Sequence, residues 1–523
     1  MIKKLTYTLS DNKGRFACVL LFGLGLNAIV TAADPLIMRL LIDEGLIRKN
    51  FHLFAVFATA VVVFAIGLRG LSLAYELLSQ KVKNEISRSL TLRMHKSYFA
   101  IPYTDIAKSD SGYFISRIYD EPLKIARGIV TTFIGLLISV ITLAVGLLIS
   151  LYLTWKITLI LSLVVPALYY LSSRFSPKIK SASEQENEQE ARLREALGKS
   201  VDCYKTVKIF GLYPSVHRYV LGRLQSYLAV LYSRAKTTQS YQALGGMWLS
   251  LAEVLVLVAA GWEVVSGNLS IGGLFAFMSA FWKVIGAAAG MVSQVPELLT
   301  LSGCVDRLTE FESMAQPARI RESDGIELDR VSFRYSARNI LEGFNFAIGA
   351  GERVVIVGPN GSGKTTLGLL MTGFLEPSEG IVRTPALERI SAMLTPFYFA
   401  PGSLKDNVSY SELTEQKREA FWKLVRSLGL ESRIDADASS ELSEGEKKKC
   451  QIVMTLLKDA DIYLFDEPLA SVDVGSRDVI IQTQLEHTRG KTVISIMHGD
   501  EHYHSLFDRV VSLKHTAAVA VCQ

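Results

Sequence analysis

The chain has 523 residues, a net charge of +5 and a hydrophobic fraction of 49% against 20% charged residues. That length exceeds one ordinary core, so at least two domains are expected. The small net charge, with no aromatic-and-basic array, argues against nucleic acid as a partner, and the mean hydropathy of +0.27 argues against a wholly soluble protein. The five cysteines (Cys18, Cys203, Cys304, Cys450, Cys522) are scattered with no CxxC pair, which argues against a disulfide framework or a zinc site.

The apolar residues concentrate in about the first three-fifths of the chain. The basic stretch Met1–Phe16 leads into an apolar run that continues through Ile42, longer than a cleaved signal peptide, so it reads as a retained membrane helix. A bilayer core needs about 20 apolar residues in a helix. Six segments meet this: Phe16–Ile42 with a kink expected at Pro35, Phe51–Leu78, Ile125–Tyr152, Lys156–Leu171, Leu244–Val265 and Ile271–Val292. The third and fourth are joined by the short turn Leu153–Trp155, and the last two around Gly267–Asn268. The long segments Lys81–Lys124 and Arg174–Lys236 are basic, which places them and both termini in the cytosol; Arg48 and Lys49 go against this. Amphipathic spacing, as in Val82-Ile86-Leu90, predicts that the helices extend past the bilayer as stalks. A linker over 301–322 then follows, with Gln316-Pro317 its expected flexible point.

The remainder reads as a soluble α/β domain. Strand-like stretches at Ile326–Phe333 and Phe344–Ile348 precede the apolar strand Arg353–Val357, which runs into Gly358-Pro-Asn360-Gly361-Ser362-Gly363-Lys364-Thr365-Thr366. This GxxxxGK[ST] pattern between strand and helix is a phosphate loop. Its glycines let backbone amides curl around phosphate oxygens, and the helix dipole adds to the attraction. Lys364 is expected on the β- and γ-phosphates and the Thr365 hydroxyl on Mg²⁺. A second strand, Asp461–Asp466, ends in Asp466-Glu467. Asp466 suits the metal and Glu467 the base for an attacking water.

Further motifs resemble the ABC ATPase family. Leu442-Ser443-Glu444-Gly445-Glu446 resembles its LSGGQ signature, Leu469–Asp473 its D-loop, and Val493–His498 its switch-histidine strand. Tyr335 falls where that family stacks an aromatic ring on adenine. The membrane half is similar to the exporter branch, with Gly112–Asp120 and Lys205–Gly211 at its two coupling segments and Gly267–Gly272 at the turn into its last membrane helix. The resemblance implies an α-helical membrane domain (1–300, six transmembrane helices with long cytosolic stalks), a linker (301–322) and an α/β P-loop ATPase domain (323–523). It implies ATP and Mg²⁺ as cofactors and a second half-transporter chain as partner, a homodimer before a heterodimer. Ser443 and Gly445 then meet the γ-phosphate of ATP held by the other chain, His498 senses it, and Asp473 of the D-loop is counted among the ATP-binding residues.

Three departures stand out. The signature carries Glu444 and Glu446 in place of Gly and Gln, which sets carboxylates near a phosphate unless they are turned away or neutralised. The family's Q-loop glutamine is missing, its register falling on Thr395. The domain is trimmed, with Asp435–Ser440 replacing an acidic-glycine element. An active ATPase is still expected.

The substrate is less legible. Asp34, Arg39, Arg69, Glu76, Glu253 and Lys283 are ionisable groups inside membrane segments, and such groups often face a cavity. Trp248, Trp262, Phe275, Phe281 and Trp282 could line an amphipathic pocket or form an interfacial belt. No leader-cleaving protease segment is expected ahead of the first helix. The expectation is ATP-driven export of a small amphipathic molecule, a peptide or siderophore-like product, from a multi-pass protein of the inner (plasma) membrane in contact with lipid. Alternatives are a lipid or lipid-linked-glycan flippase, a multidrug exporter, a siderophore importer, or a poorly hydrolysing regulatory or channel protein.

Overall fold

The computed structural model describes residues 7–9, 12–107, 111–315, 323–335, 338–499 and 501–513. Two units are present. Residues 1–99 and 111–313 form one, and residues 100–110 and 314–523 the other.

The described part of the first unit is helical. α1 (Lys13–Leu40) carries Pro35 without a break and runs on as a π-helical segment, Leu41–Ile47. α2 (Phe51–Tyr98) starts at Asn50, whose side chain accepts the Leu53 amide at 3.1 Å. The third apolar run ends as α3 (Ile134–Leu153). Thr154 alone separates it from α4 (Trp155–Asp202), and the Thr154 hydroxyl caps that helix. α5 (Tyr213–Val265) and α6 (Ile271–Met314) complete the unit. Helices α2, α4 and α5 have 48, 48 and 53 residues. At 1.5 Å per residue they reach about 70–80 Å, far beyond a bilayer core of about 30 Å, as expected of stalks. Among the described residues five helical segments are long and apolar enough to cross a membrane. The remaining expected span, Lys156–Leu171, lies in α4, where many side chains fall outside the described ones.

With no hydrophobic drive between helices in lipid, close packing carries their association. Phe277, Phe281 and Val284 of α6 are fully buried with Val256 and Ala260 of α5 and Ile157 of α4. The start of α6 is fixed by α1's extension: Asp43 accepts the Ser270 hydroxyl at 2.6 Å and the Gly272 amide at 2.9 Å. A Cβ at Gly272 would lie 2.6 Å from Asp43 Oδ1, so only glycine fits. Stalks α4 and α5 are joined by Arg234 and Glu186 at 2.6 Å.

Two boundaries differ from expectation. α6 continues through Met314, with Leu308 and Phe311 fully buried, so residues 301–314 are helix in place of linker. These positions have apolar residues at helical spacing, and packing extends the helix. Gln316-Pro317 lies outside the described residues. Gly112–Asp120 lies in the first unit, within the expected domain 1–300, whereas Ala100–Asp110 groups with the second unit. There the short helix Tyr103–Ile106 sets Tyr103 edge-on to Phe374, ring centres 5.7 Å apart. Of the aromatics that could line a pocket, Phe281 is fully buried in the helix core, while Trp248, Trp262, Phe275 and Trp282 are exposed.

The second unit has two sheets. β1 (Ile326–Tyr335), β2 (Arg338–Ile348) and β4 (Glu379–Arg383) form an antiparallel sheet in the order β2-β1-β4. β3 (Arg353–Val357), β5 (Ile390–Met393), β6 (Ile462–Asp466), β7 (Thr492–Met497) and β8 (Arg509–Ser512) form a parallel sheet in the order β5-β6-β7-β3-β8. Their continuous apolar runs suit strands covered on both faces. One face packs on α7 (Lys364–Met371), where Leu367, Leu370 and Met371 are fully buried. The other packs on α8 (Glu415–Ser427), α9 (Glu444–Leu457) and α10 (Val474–His487), through Phe421, Val453 and Ile480. The carboxyl ends of β3, β6 and β7 thus lie side by side, the usual place for a ligand in a parallel sheet.

Candidate functional site

The loop between β3 and α7 brings Gly358–Thr366 over the end of β3. Gly363 has φ +92°, and a Cβ there would lie 2.8 Å from Ile340, so the turn into α7 requires glycine. Lys364 is buried, and its Nζ donates to the carbonyls of Gly358 at 2.8 Å and Pro359 at 3.0 Å. The ammonium is thereby held over the loop. The Ser362 hydroxyl is buried without a partner. Thr365, in the first turn of α7, is exposed, and Thr366 is buried. Asn360 and Gly361 are exposed at the loop's outer edge.

At the end of β6, Asp466 is 1% exposed, and its carboxylate oxygens make no close hydrogen bond, with the Thr365 hydroxyl and the Thr395 amide nearby. Burial pushes its pKa up, and the neighbouring Glu467 adds to this; the Thr365 hydroxyl, the Thr395 amide and Lys448 pull it down. A buried carboxylate so weakly satisfied is costly, and a cation beside Thr365 relieves that cost. The residues present therefore fit Mg²⁺. Glu467 has φ +51°, a left-handed conformation that is strained for a non-glycine residue and common at functional sites. Its amide donates to the Ile496 carbonyl at 2.9 Å, which ties the turn after β6 to β7. Glu467 and His498 line one cleft of about 330 Å³, together with Arg477, Met497 and the backbone-rich turn Pro468–Ala470. Tyr335, at the end of β1, is 46% exposed and stands perpendicular to the Phe333 ring.

A second group gathers at the start of α9. Ser443 is its N-cap. Gly445 packs against the D-loop: a Cβ there would lie 3.1 Å from the Ser471 carbonyl. Asp473 caps α10, accepting the Ser476 amide at 2.9 Å. Glu446 accepts both the amide and the hydroxyl of Ser443, at 2.9 and 2.8 Å, and Arg433 at 2.9 Å. The Ser443 amide, then its hydroxyl, then Arg433 hold the Glu446 pKa down. Glu444 pairs with Lys447 at 2.9 Å. Both unusual carboxylates of the signature are therefore engaged by neighbours. Thr395 does lie by Asp466, its hydroxyl 3.5 Å from the Asp466 carbonyl.

Sequence reasoning missed Lys448 and Arg477. Lys448 Nζ lies 3.5 Å from the Asp466 carbonyl. The available signal was the run Lys447-Lys448-Lys449 near a helix N-terminus, where the dipole disfavours cations. Arg477, one turn into α10 from Asp473, carried no comparable signal.

Residues 17–287 match the family described as the ABC transporter transmembrane region, and residues 341–470 match ABC transporter. The ATP-dependent lipid A-core flippase of Burkholderia pseudomallei is 26% identical, covering 92% of this chain and 86% of its own length. The ATP-dependent permease MDL1 of Candida albicans is 26% identical over 74% of this chain and 62% of its own. A bacterial Atm1-family ABC exporter solved with ATP bound superposes with a TM-score of 0.81 at 18% identity, covering 97% and 95% of the two chains. With the membrane match alone spanning more than half of its length, the chain belongs to the ABC transporter family, as a membrane domain and an ATP-hydrolysing domain in one polypeptide.

Proposed function

We propose that two copies of this chain form an inner-membrane exporter that moves a polar-headed lipid outward, driven by ATP hydrolysis at Glu467. The observation that carries the lipid assignment is the similarity over 92% of the chain to proteins named as lipid A-core flippases. It favours a lipid over the peptide or siderophore-like product suggested by the trimmed motifs.

One phosphate loop and one signature per chain support a dimer, because Ser443 and Gly445 sit on a different element from Lys364. In the second coupling segment, Ile209 and Phe210 are 75% and 71% exposed, an apolar pair on a short helix that suits a partner chain. In this reading Tyr335 stacks on adenine, and the amides of Gly358–Thr366 with Lys364 bind the phosphates. Thr365 and Asp466 hold Mg²⁺, which when bound neutralises phosphate charge. Glu467, intermediate in burial and beside His498, takes the proton of the attacking water, and His498 donates toward the γ-phosphate. ATP favours the closed pair of ATPase domains and so biases a two-state membrane domain.

The test is reconstitution in vesicles carrying a fluorescent glycolipid in the inner and outer leaflets. ATP-dependent redistribution of the lipid, with ATPase stimulation by anionic glycolipid and none by short apolar peptides, is expected. Stimulation by peptide alone would return the reading to a peptide exporter.

A further inference from the structure

The lysine run at the start of α9 is unusual for its place. Cations near a helix N-terminus oppose the dipole, yet three occur in succession. Two have partners on the surface: Lys447 pairs with Glu444 at 2.9 Å, and Lys449 lies 4.0 Å from Asp473. Lys448 instead turns inward to the end of β6, with Nζ 3.5 Å from the main-chain oxygen of Asp466. It makes no ion pair with the Asp466 carboxylate, whose two oxygens make no close hydrogen bond. The ammonium is thus close enough to act on the carboxylates through space while leaving their lone pairs open.

We propose that Lys448 is a positioning residue of the hydrolytic site: its charge, resident beside Asp466 and Glu467, lowers the affinity of those carboxylates for the divalent cation. Metal and ammonium share one negative field. A positive charge already beside it competes with the metal for that field and makes the metal easier to release. Lys364 cannot do the same, because its ammonium is held by the carbonyls of Gly358 and Pro359. The inference rests on the reading of Asp466 as the metal residue.

The experiment measures, in the full-length purified chain, the affinity for a non-hydrolysable ATP analogue with Mn²⁺ and with EDTA. The ratio of the two is the metal's contribution, and it is insensitive to the fraction of protein that is active. Lys448→Gln should raise the ratio roughly three- to tenfold, from the loss of one charge at a distance of several Å in a partly desolvated site. Lys448→Arg should leave it at the parent value, and Asp466→Asn should collapse it toward one. An unchanged or lower ratio in Lys448→Gln, with Asp466→Asn collapsed, overturns the role of Lys448 and leaves the metal assignment standing. Equal increases in the Gln and Arg variants also overturn it, since the charge is retained in Arg. A parent-like ratio in Asp466→Asn overturns the metal assignment itself, and the inference with it.

Discussion

Glu446 and Ser443 cap each other. The Glu446 carboxylate accepts the Ser443 amide at 2.9 Å, and the Ser443 hydroxyl accepts the Glu446 amide at 3.3 Å. Such a reciprocal box stabilises a helix start by about 1 kcal/mol. Here it also turns a carboxylate of the signature back onto its own helix, where Arg433 meets it at 2.9 Å. Glu446→Gln keeps the acceptor and should therefore leave ATP turnover within about twofold of the parent. Arg433→Ala removes the neutralising cation and should weaken ATP affinity roughly threefold. A tenfold gain in turnover for Glu446→Gln would mean that the carboxylate repels phosphate after all.

Asp466 links stability to pH with an unusual sign for an aspartate. Its folded pKa is raised above the ordinary 3.8, chiefly by burial. Its contribution to stability is full below the unfolded value and is lost as pH rises through the folded one. Without metal and nucleotide, Asp466→Asn should raise the apparent Tm by roughly 2–4 °C at pH 7, with the gain shrinking toward acid. ATP turnover should fall at least about a hundredfold. A scan of Tm against pH checks the sign, and a variant less stable than the parent at neutral pH contradicts it.

Asp34 and Lys283 form an ion pair at 2.8 Å between α1 and α6, and Lys283 also donates to the Val30 carbonyl at 2.7 Å. Lys283 thus serves a backbone acceptor and a carboxylate, while Asp34 is half exposed. Lys283→Met should destabilise the detergent-solubilised protein more than Asp34→Asn. A double-mutant cycle should give a coupling of about 0.5–1.5 kcal/mol. Strict additivity would deny the pair any energetic role.

Tyr335 is 46% exposed at the end of β1. Stacking on a base contributes about 1–3 kcal/mol, so Tyr335→Ala should weaken ATP binding roughly five- to a hundredfold and Tyr335→Phe very little. Titration of a fluorescent ATP analogue distinguishes the two. Equal loss in both variants would point to the hydroxyl instead.

The parts that could be read from sequence were those with a strong local code. Gly358–Thr366 needs a particular backbone path, and the apolar runs of α1 to α6 need a bilayer's length. The turn at Thr154 followed from the short gap between two apolar runs. What was missed depends on neighbours distant in sequence. Arg433 lies 13 positions from Glu446, and only the folded chain shows that it neutralises the signature carboxylate. Lys448 reaches a residue 18 positions away across α9 and β6. The end of α6 was set too early because Leu308 and Phe311 gain their burial from tertiary packing, which overrides a composition shift. Whether Phe281 faces a pocket or the core stayed open for a similar reason, since periodicity does not say which face of a membrane helix meets protein.

The most direct test of the account is ATP turnover by this chain alone, purified and reconstituted in lipid, beside Glu467→Gln. The account predicts Mg²⁺-dependent turnover in the parent and its loss, by roughly a hundredfold or more, in the variant, with ATP binding retained in both. Turnover in Glu467→Gln equal to the parent would contradict the assignment of the base. ATP binding without turnover in the parent would contradict the homodimer.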